Sequence, residues 1–307
     1  MNQINQLPAY RWAVRTANRF FPEAMAKMRF KKYFGRPMNL ENPQDINEKI
    51  SWLALYSDIS EWTRLADKYA VRQFVEERGQ GDTLVKLYGM WTDARDIKWE
   101  ELPESFMLKT NNGSGTVMLV KDKSKLNIPE TVKLLNKWKN KDMGAETTEF
   151  HYKDIKPCII AEEVLIPSEE EQKFSSTIID YKVWCFNGEP NYVWACSNRV
   201  GESTEVALFD TKWNYLPELS IFNDHYREQK HLVPKPKNLD EMIRVARDLA
   251  QGFPVVRVDL YYVNDKVYFG EMTFTSLGGT MNFYTDECLL SMGKRIDISN
   301  IKKVRNV

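Results

Sequence analysis

Apolar positions recur along this chain at two spacings, and the change from one to the other marks its elements. Over roughly the first 65 residues the period is helical. Trp12, Val14, Ala17, Phe20 and Phe21 are spaced for one apolar face, while Arg11, Arg15 and Arg19 repeat every four residues on another. A helix of this kind either packs on the body with its basic face in water or lies on an anionic membrane. Asn42-Pro-Gln-Asp then punctuates the chain, and Asp45 followed by Glu48 has the spacing of a capping box. The helix it opens sends Ile50, Leu53 and Leu55 to a core. Asp67 to Arg78 reads as a further helix, stopped by Gly79.

Beyond residue 80 strands dominate. Leu84-Val-Lys-Leu-Tyr88, Phe106 to Lys109 and Val117 to Val120 are short strands, the last two joined as a hairpin. Thr131 to Lys139 is helical. Cys158 to Leu165 is a strand running into a Glu-rich loop. Asp180 to Phe186 and Asn191 to Cys196 are strands linked by Asn187-Gly-Glu-Pro, a strong turn signal. Asp240 to Gln251 is a helix closed by Gly252, and Val255 to Val263 pairs with Lys266 to Glu271 across Asn264-Asp265. Helices interleaved with hairpin-linked strands predict an α+β fold, not a doubly wound parallel sheet.

Composition narrows the class. The 307 residues hold 43 basic and 43 acidic side chains, so no global field draws the protein to nucleic acid. A local phosphate site stays open. No apolar run approaches the roughly 20 residues of a membrane span. The N-terminus lacks the basic start and apolar centre of a signal peptide, so a cytoplasmic location is expected. The four cysteines are scattered, and Cys158, Cys185 and Cys196 lie in or beside strand-like runs, which predicts buried thiols. The three histidines have no metal-ligand spacing.

Two segments carry the chemistry. Phe106-Met-Leu-Lys-Thr-Asn-Asn-Gly-Ser-Gly-Thr116 is an apolar strand that ends in Lys109 and opens into a Gly/Ser/Asn loop. A lysine on a rigid base beside exposed backbone N–H groups suits polyphosphate. The plainer reading is a hairpin loop with a surface lysine. Arg257-Val-Asp-Leu-Tyr to Gly270-Glu-Met-Thr273 places Asp259 and Glu271 on the two arms of a hairpin. Two close carboxylates repel unless a cation lies between them, and Mg²⁺ shared with phosphate is the natural cation. A surface Arg–carboxylate network and a glycosidase-type carboxyl pair are the alternatives. Arg257 shares a strand face with Asp259, and Asp180 shares one with Lys182, by the period of two. Arg199 ends the next strand. Lys182 and Arg199 near Lys109 would stabilise charge on a transferring phosphoryl group. Glu162 and Glu163 end a strand, either as ribose and adenine contacts or as a plain charged end. Thr273 to Thr280 is a Gly/Thr/Ser loop at the same place. Trp184, Tyr192, Trp194 and Trp213 are either sugar-stacking faces or buried strand aromatics. Lys109→Ala and Asp259→Asn are expected to stop turnover and leave folding largely intact, since site charges rarely stabilise a core.

The order of these signals resembles the ATP-grasp superfamily. Asn47-Glu48-Lys49, Asp67-Lys-Tyr-Ala-Val-Arg72, Asp180-Tyr-Lys-Val, Arg257-Val-Asp-Leu-Tyr and Gly270-Glu-Met-Thr-Phe-Thr275 look like its TupA-like family, named for teichuronopeptide synthesis and found in polysaccharide gene clusters. The resemblance covers roughly residues 40 to 290. It implies two α+β lobes gripping a nucleotide, behind a helical extension. The expected division is 1–65 for the extension, 66–105 before the grasp, 106–165 for the small lobe and 166–307 for the large lobe. It implies that Lys68 and Lys109 contact ATP phosphates under a mobile loop of Asn112, Gly113, Ser114 and Gly115. Glu162, Glu163 and Val164 would be the adenine hinge, and Asp180 the ribose-side carboxylate, with Glu169 as rival. Lys182, Arg199 and Arg257 would face the γ-phosphate or an acyl phosphate. Asp259 and Glu271 would hold Mg²⁺, with Thr273 where many members have Asn. The implied activity joins a carboxylate, with a uronic acid of a surface polysaccharide as the expected one, to an amine or amino acid. ATP, the carboxylate and the amine are the expected partners, with a membrane or enzyme-complex contact through the N-terminal helix. A sugar phosphotransferase or glycosyltransferase, and a non-catalytic assembly protein, are the rival readings.

Overall fold

Two sheets frame the molecule, which this computed structural model describes for residues 8–147 and 149–305. The first holds β1 (Leu87–Trp91), β2 (Phe106–Thr110), β3 (Val117–Val120) and β4 (Ile159–Glu162) in the order β1-β4-β2-β3, all antiparallel. The second holds β5 (Asp180–Phe186), β6 (Glu189–Val200), β7 (Ser203–Asp210), β8 (Tyr226–Glu228), β9 (Val255–Val263) and β10 (Lys266–Thr273) in the order β10-β9-β5-β6-β7-β8. There only the β7–β8 edge pair runs parallel. The helices are α1 (Pro8–Phe20), α2 (Pro22–Phe34), α3 (Ile46–Tyr56), α4 (Ser60–Ala66), α5 (Val71–Glu77), α6 (Ile128–Lys139), α7 (Glu169–Gln172), α8 (Leu239–Ala250) and α9 (Asp286–Lys294). None of those described is long and apolar enough to cross a membrane.

Local rules explain most of these elements. The Asp45 carboxylate accepts from the Glu48 N–H at 2.9 Å and Glu48 reaches back to the Asp45 N–H, so α3 opens on a complete capping box. α8 turns Met242, Val245, Ala246 and Leu249 onto the large sheet, where they meet Val183, Cys185, Val258 and Leu260. A smaller core of Phe106, Leu108, Leu135, Ile159 and Ala161 sits under the first sheet. All four cysteines are buried, Cys158, Cys185 and Cys196 as expected and Cys288 with them.

Several expectations shift. The strand expected at Leu84 begins at Leu87, because Thr83 and Leu84 close a short turn on Gln80 and Gly81. The helix expected from Asp67 begins at Val71. The strand from Cys158 ends at Glu162, where the Glu163 N–H donates instead to the Lys86 carbonyl at 2.9 Å. The strand after the 187–190 turn runs on to Val200, and β7, β8 and α9 were not expected at all.

The N-terminal helix differs most. Trp12, Phe20 and Phe21 are exposed, whereas Arg11 and Arg15 turn inward onto the Glu146 carboxylate at 2.7 and 3.1 Å. The apolar face expected to pack on the body looks outward.

Candidate active site

Residues 180–186 alternate between the two faces of β5. One face carries Tyr181, Val183 and Cys185 into the core; the other carries Asp180, Lys182 and Trp184 toward the first sheet. Strand register then decides what each meets. Lys182 lies opposite Asp259 on β9, and Trp184 lies opposite Arg257. On β10, Glu271 lies opposite Asp259 and Thr273 opposite Arg257.

That last pairing depends on a β-bulge. The register slips between Phe269 and Glu271, leaving Gly270 as the extra residue. Without the slip Glu271 would pair with Val258 and point to the core face, because a one-residue shift exchanges the faces of a strand. A Cβ at residue 270 would lie 2.9 Å from the Asp259 carbonyl oxygen and 3.1 Å from the Tyr261 ring, so the tight approach needs glycine.

The row Glu271, Asp259, Lys182 is bound into an ion network. Arg257 donates to both oxygens of Asp259, each at 2.7 Å, and Lys182 stands 2.6 Å from Asp259 and 2.6 Å from Asp180. Asp259 is almost wholly buried. Burial disfavours the Lys182 ammonium, but Asp180 and Asp259 outweigh it and raise its pKa, so it stays charged. Burial, with Asp259 nearby, lifts the Asp180 carboxyl against the pull of Lys182, and its Oδ1 has no hydrogen-bond partner. Enclosure also works to raise Glu271, yet Lys68, Lys182 and Arg257 hold it down at about 2. Arg257 also donates to Ser276 Oγ at 2.8 Å and to Thr273 Oγ1 at 3.1 Å, which ties the 273–280 loop to the network. Arg199 reaches Asp180 at 3.6 Å from a half-exposed position.

The opposite wall comes from the first sheet. Lys109 projects from β2 and pairs with Glu162, its diagonal neighbour on β4. Glu162 is also held by Arg72 at 3.3 Å. The loop after β2 is pinned at its base: Thr110 and Thr116 bond through backbone and hydroxyls, and Asn111 Oδ1 accepts from the Cys158 N–H at 2.7 Å. Asn112 donates to the Lys139 carbonyl at 3.1 Å. Lys68 spans the gap, donating to the Gly113 carbonyl at 2.8 Å and pairing with Glu271 at 3.3 Å.

A single cavity of about 580 Å³ collects Lys68, Lys109, Gly113, Ser114, Gly115, Asp180, Lys182, Arg199, Arg257, Asp259, Glu271 and Thr273. Asn112, Glu162, Glu163 and Val164 lie outside its lining, and so does Glu169. Of the aromatic set, Trp184 and Trp194 line the cavity. Tyr192 turns to Ser291, and Trp213 stacks on Phe209 at 4.2 Å. Sequence reasoning missed Glu149, Tyr152, Tyr226, Phe283 and Tyr284, which complete the walls. Glu149 accepts from Thr147 and Thr275 hydroxyls at 2.8 and 3.0 Å, and burial lifts its carboxyl. Tyr226 opens the short edge strand β8, and the others sit on loops and short turns with no periodic signal, so only the folded chain reveals them. Cys196 also faces the cavity, but burial pushes its thiol up to about 12, which removes it as a nucleophile.

The donor set suits Mg²⁺ carrying a polyphosphate. Among the described residues no group of three or more His, Cys, Asp or Glu is placed to hold a metal. Asp259 and Glu271 face one another in register with the Thr273 hydroxyl 3.5 Å from Glu271 Oε1, an all-oxygen set of the kind magnesium takes. Five basic and five acidic side chains line the cavity. Such a balanced lining does not trap a bare polyanion; it accommodates one that arrives with a cation.

The sequence matches the TupA-like ATPgrasp family over residues 48–297. No curated protein matches it. Among solved structures, D-alanine–D-alanine ligase from Bacillus anthracis complexed with ATP aligns at 11% identity and a TM-score of 0.42, over 79% of this chain and 69% of that one. The D-alanine–D-alanine ligase of Helicobacter pylori aligns at 12% and 0.43, over 82% and 67%. N5-carboxyaminoimidazole synthetase of Staphylococcus aureus aligns at 14% and 0.42, over 71% and 46%. The sequence match spans far more than half of the chain, and it decides the assignment: this chain belongs to the TupA-like ATP-grasp family.

Proposed function

We propose that this chain is an ADP-releasing carboxylate–amine ligase that forms an amide on a uronic acid of a surface polysaccharide or its precursor. The observation that carries the ligase reading is the in-register row Glu271, Asp259, Lys182, flanked by Arg257, facing Lys68, Lys109 and the Gly113–Gly115 loop across one cavity. Every group needed to position and neutralise a phosphoryl transfer is present, and no side-chain nucleophile is required.

In this reading residues 106–165 form one jaw and 166–307 the other, and the reaction draws on cytoplasmic ATP. Lys68, Lys109 and the backbone of Asn112 to Gly115 bind the phosphates. Glu162 orients Lys109, while the backbone of Glu162, Glu163 and Val164 receives adenine. Asp180, or Glu169 beside the hinge, takes the ribose side. Asp259, Glu271 and Thr273 hold the metal, which screens phosphate charge when bound. Lys182, Arg199 and Arg257 neutralise the γ-phosphoryl group as a substrate carboxylate oxygen attacks it and ADP leaves. The amine nitrogen then attacks the acyl carbon, and inorganic phosphate departs with the bonding pair. Trp184 and Trp194 reach this wall but are almost wholly buried, whereas the half-buried Tyr226 presents an aromatic face of the kind that stacks on a sugar ring.

Calorimetric titration with a non-hydrolysable ATP analogue tests the site. Binding should require Mg²⁺ and weaken at least tenfold in Glu271→Gln, about the loss of one charge-assisted contact. Absence of binding at millimolar analogue would remove the reading. ADP release that needs both a uronic acid and an amine supports the ligase, whereas release with sugar alone makes the protein a phosphotransferase.

A further inference from the structure

The helical hairpin α1–α2 lies outside the family match, which begins at residue 48, and the proposed ligase chemistry does not use it. Its composition is lopsided. Residues 8–36 hold eight arginines and lysines against the single Glu23, a formal +7 in a chain whose total is zero. Its inner side packs on the body. Phe30 and Ala26 enter the core, Arg11 and Arg15 bind Glu146, Arg29 donates to the Glu146 carbonyl at 2.9 Å, and Arg36 binds Asp45 and Glu48.

The outer side is apolar and basic together. Trp12 is 69% exposed, Phe20 65%, Phe21 67% and Met28 60%. Trp12, Arg19 and Phe20, at i, i+7 and i+8, share one face of α1, and the Arg19 guanidinium stands 5.6 Å over the Phe20 ring. Among the described residues Arg19, Lys31 and Lys32 have no carboxylate partner.

We infer that the outer face of α1–α2 docks in the plane of an anionic lipid bilayer. Exposed Trp and Phe interleaved with Arg and Lys is the pattern of an interfacial helix: the rings enter the headgroup boundary while the cations meet lipid phosphates. Thirteen residues per helix are too few to span, so the hairpin lies in the plane. Charge selects this occupant over a second copy, because a twofold dimer through this patch sets two clusters of the same sign face to face.

Flotation of the full chain with vesicles decides the matter. Vesicles of equal parts phosphatidylcholine and phosphatidylglycerol should carry the protein up, and pure phosphatidylcholine should not. Two triple variants probe the two components, Trp12→Ser/Phe20→Ser/Phe21→Ser and Arg19→Glu/Lys31→Glu/Lys32→Glu. Each should lose vesicle binding by about tenfold or more while the far-UV spectrum and melting temperature stay unchanged, because all six side chains are exposed. The proposal is overturned if the parent chain ignores anionic vesicles. It is equally overturned if the aromatic variant floats as well as the parent, which would mark charge adsorption alone. Sedimentation velocity that shows a dimer abolished by the aromatic variant would assign the face to a second copy and overturn it as well.

Discussion

Asp259 looks at first like a residue to remove in order to silence the site. Its surroundings give it a second task. It is the shared counterion of Arg257 and Lys182, and it is nearly inaccessible to water. Taking its charge away leaves Lys182 with Asp180 alone and Arg257 with only the more distant Glu271 at 3.9 Å. Asp259→Asn should therefore cost about 3 kcal/mol of stability as well as activity, in the range found when buried pairs lose one partner. Urea unfolding checks this against the expectation that folding stays largely intact. Glu271, more exposed and bound by Lys68 alone at short range, is the cleaner probe of the metal position.

His151 offers a second residue-level test. Its ring sits edge-on to Trp62 with both nitrogens buried and unpartnered, and burial lowers its pKa from 6.5 to about 3. The unfolded chain therefore binds a proton below pH 6.5 that the folded chain refuses until about pH 3. Stability from this residue is complete above 6.5 and declines as pH falls, by up to about 1.4 kcal/mol per pH unit. His151→Phe should flatten the stability profile between pH 6.5 and 4 in chemical denaturation.

At the scale of elements, contact surfaces decide what sequence can say. The paired strands β5–β6 and β9–β10 were legible because Asn187-Gly188 and Asn264-Asp265 mark their turns, and these residues do take positive φ. The register of β9–β10 was not read, although Gly270 within a strand was its signal. β7 was missed because six of its eight residues are buried, so it shows no alternation. α9 was missed because its contact with α3 runs through Gly293, which breaks a helical pattern. The gap there is tight: a Cβ would fall 2.0 Å from the Gln44 carbonyl oxygen and 2.7 Å from Asp45 Cα. Gly293→Ala should therefore destabilise the protein, by about 1–3 kcal/mol or more as for other overpacked contacts. The loss should appear as a lowered urea midpoint, although alanine is the better helix former.

For the whole molecule, the sheets and most of the charged site could be read from residue order, because strand period and hairpins fix which side chains share a face. The walls contributed by Glu149, Tyr152, Tyr226 and Phe283 could not, since they come from irregular segments and a three-residue edge strand brought together only by packing. The direction in which α1 faces was also hidden. An amphipathic period says that two faces differ, not which one meets the body, and Glu146 settles that by drawing Arg11 and Arg15 inward. The charge of the hairpin has one more effect. With +7 concentrated in residues 8–36 and −7 spread over the rest, a chain of zero total charge is a strong electric dipole. A dipole turns in a field before it touches anything. Near a negatively charged surface this molecule would rotate hairpin first over a range of about one Debye length, roughly 8 Å at physiological salt, and its acidic remainder would be held away.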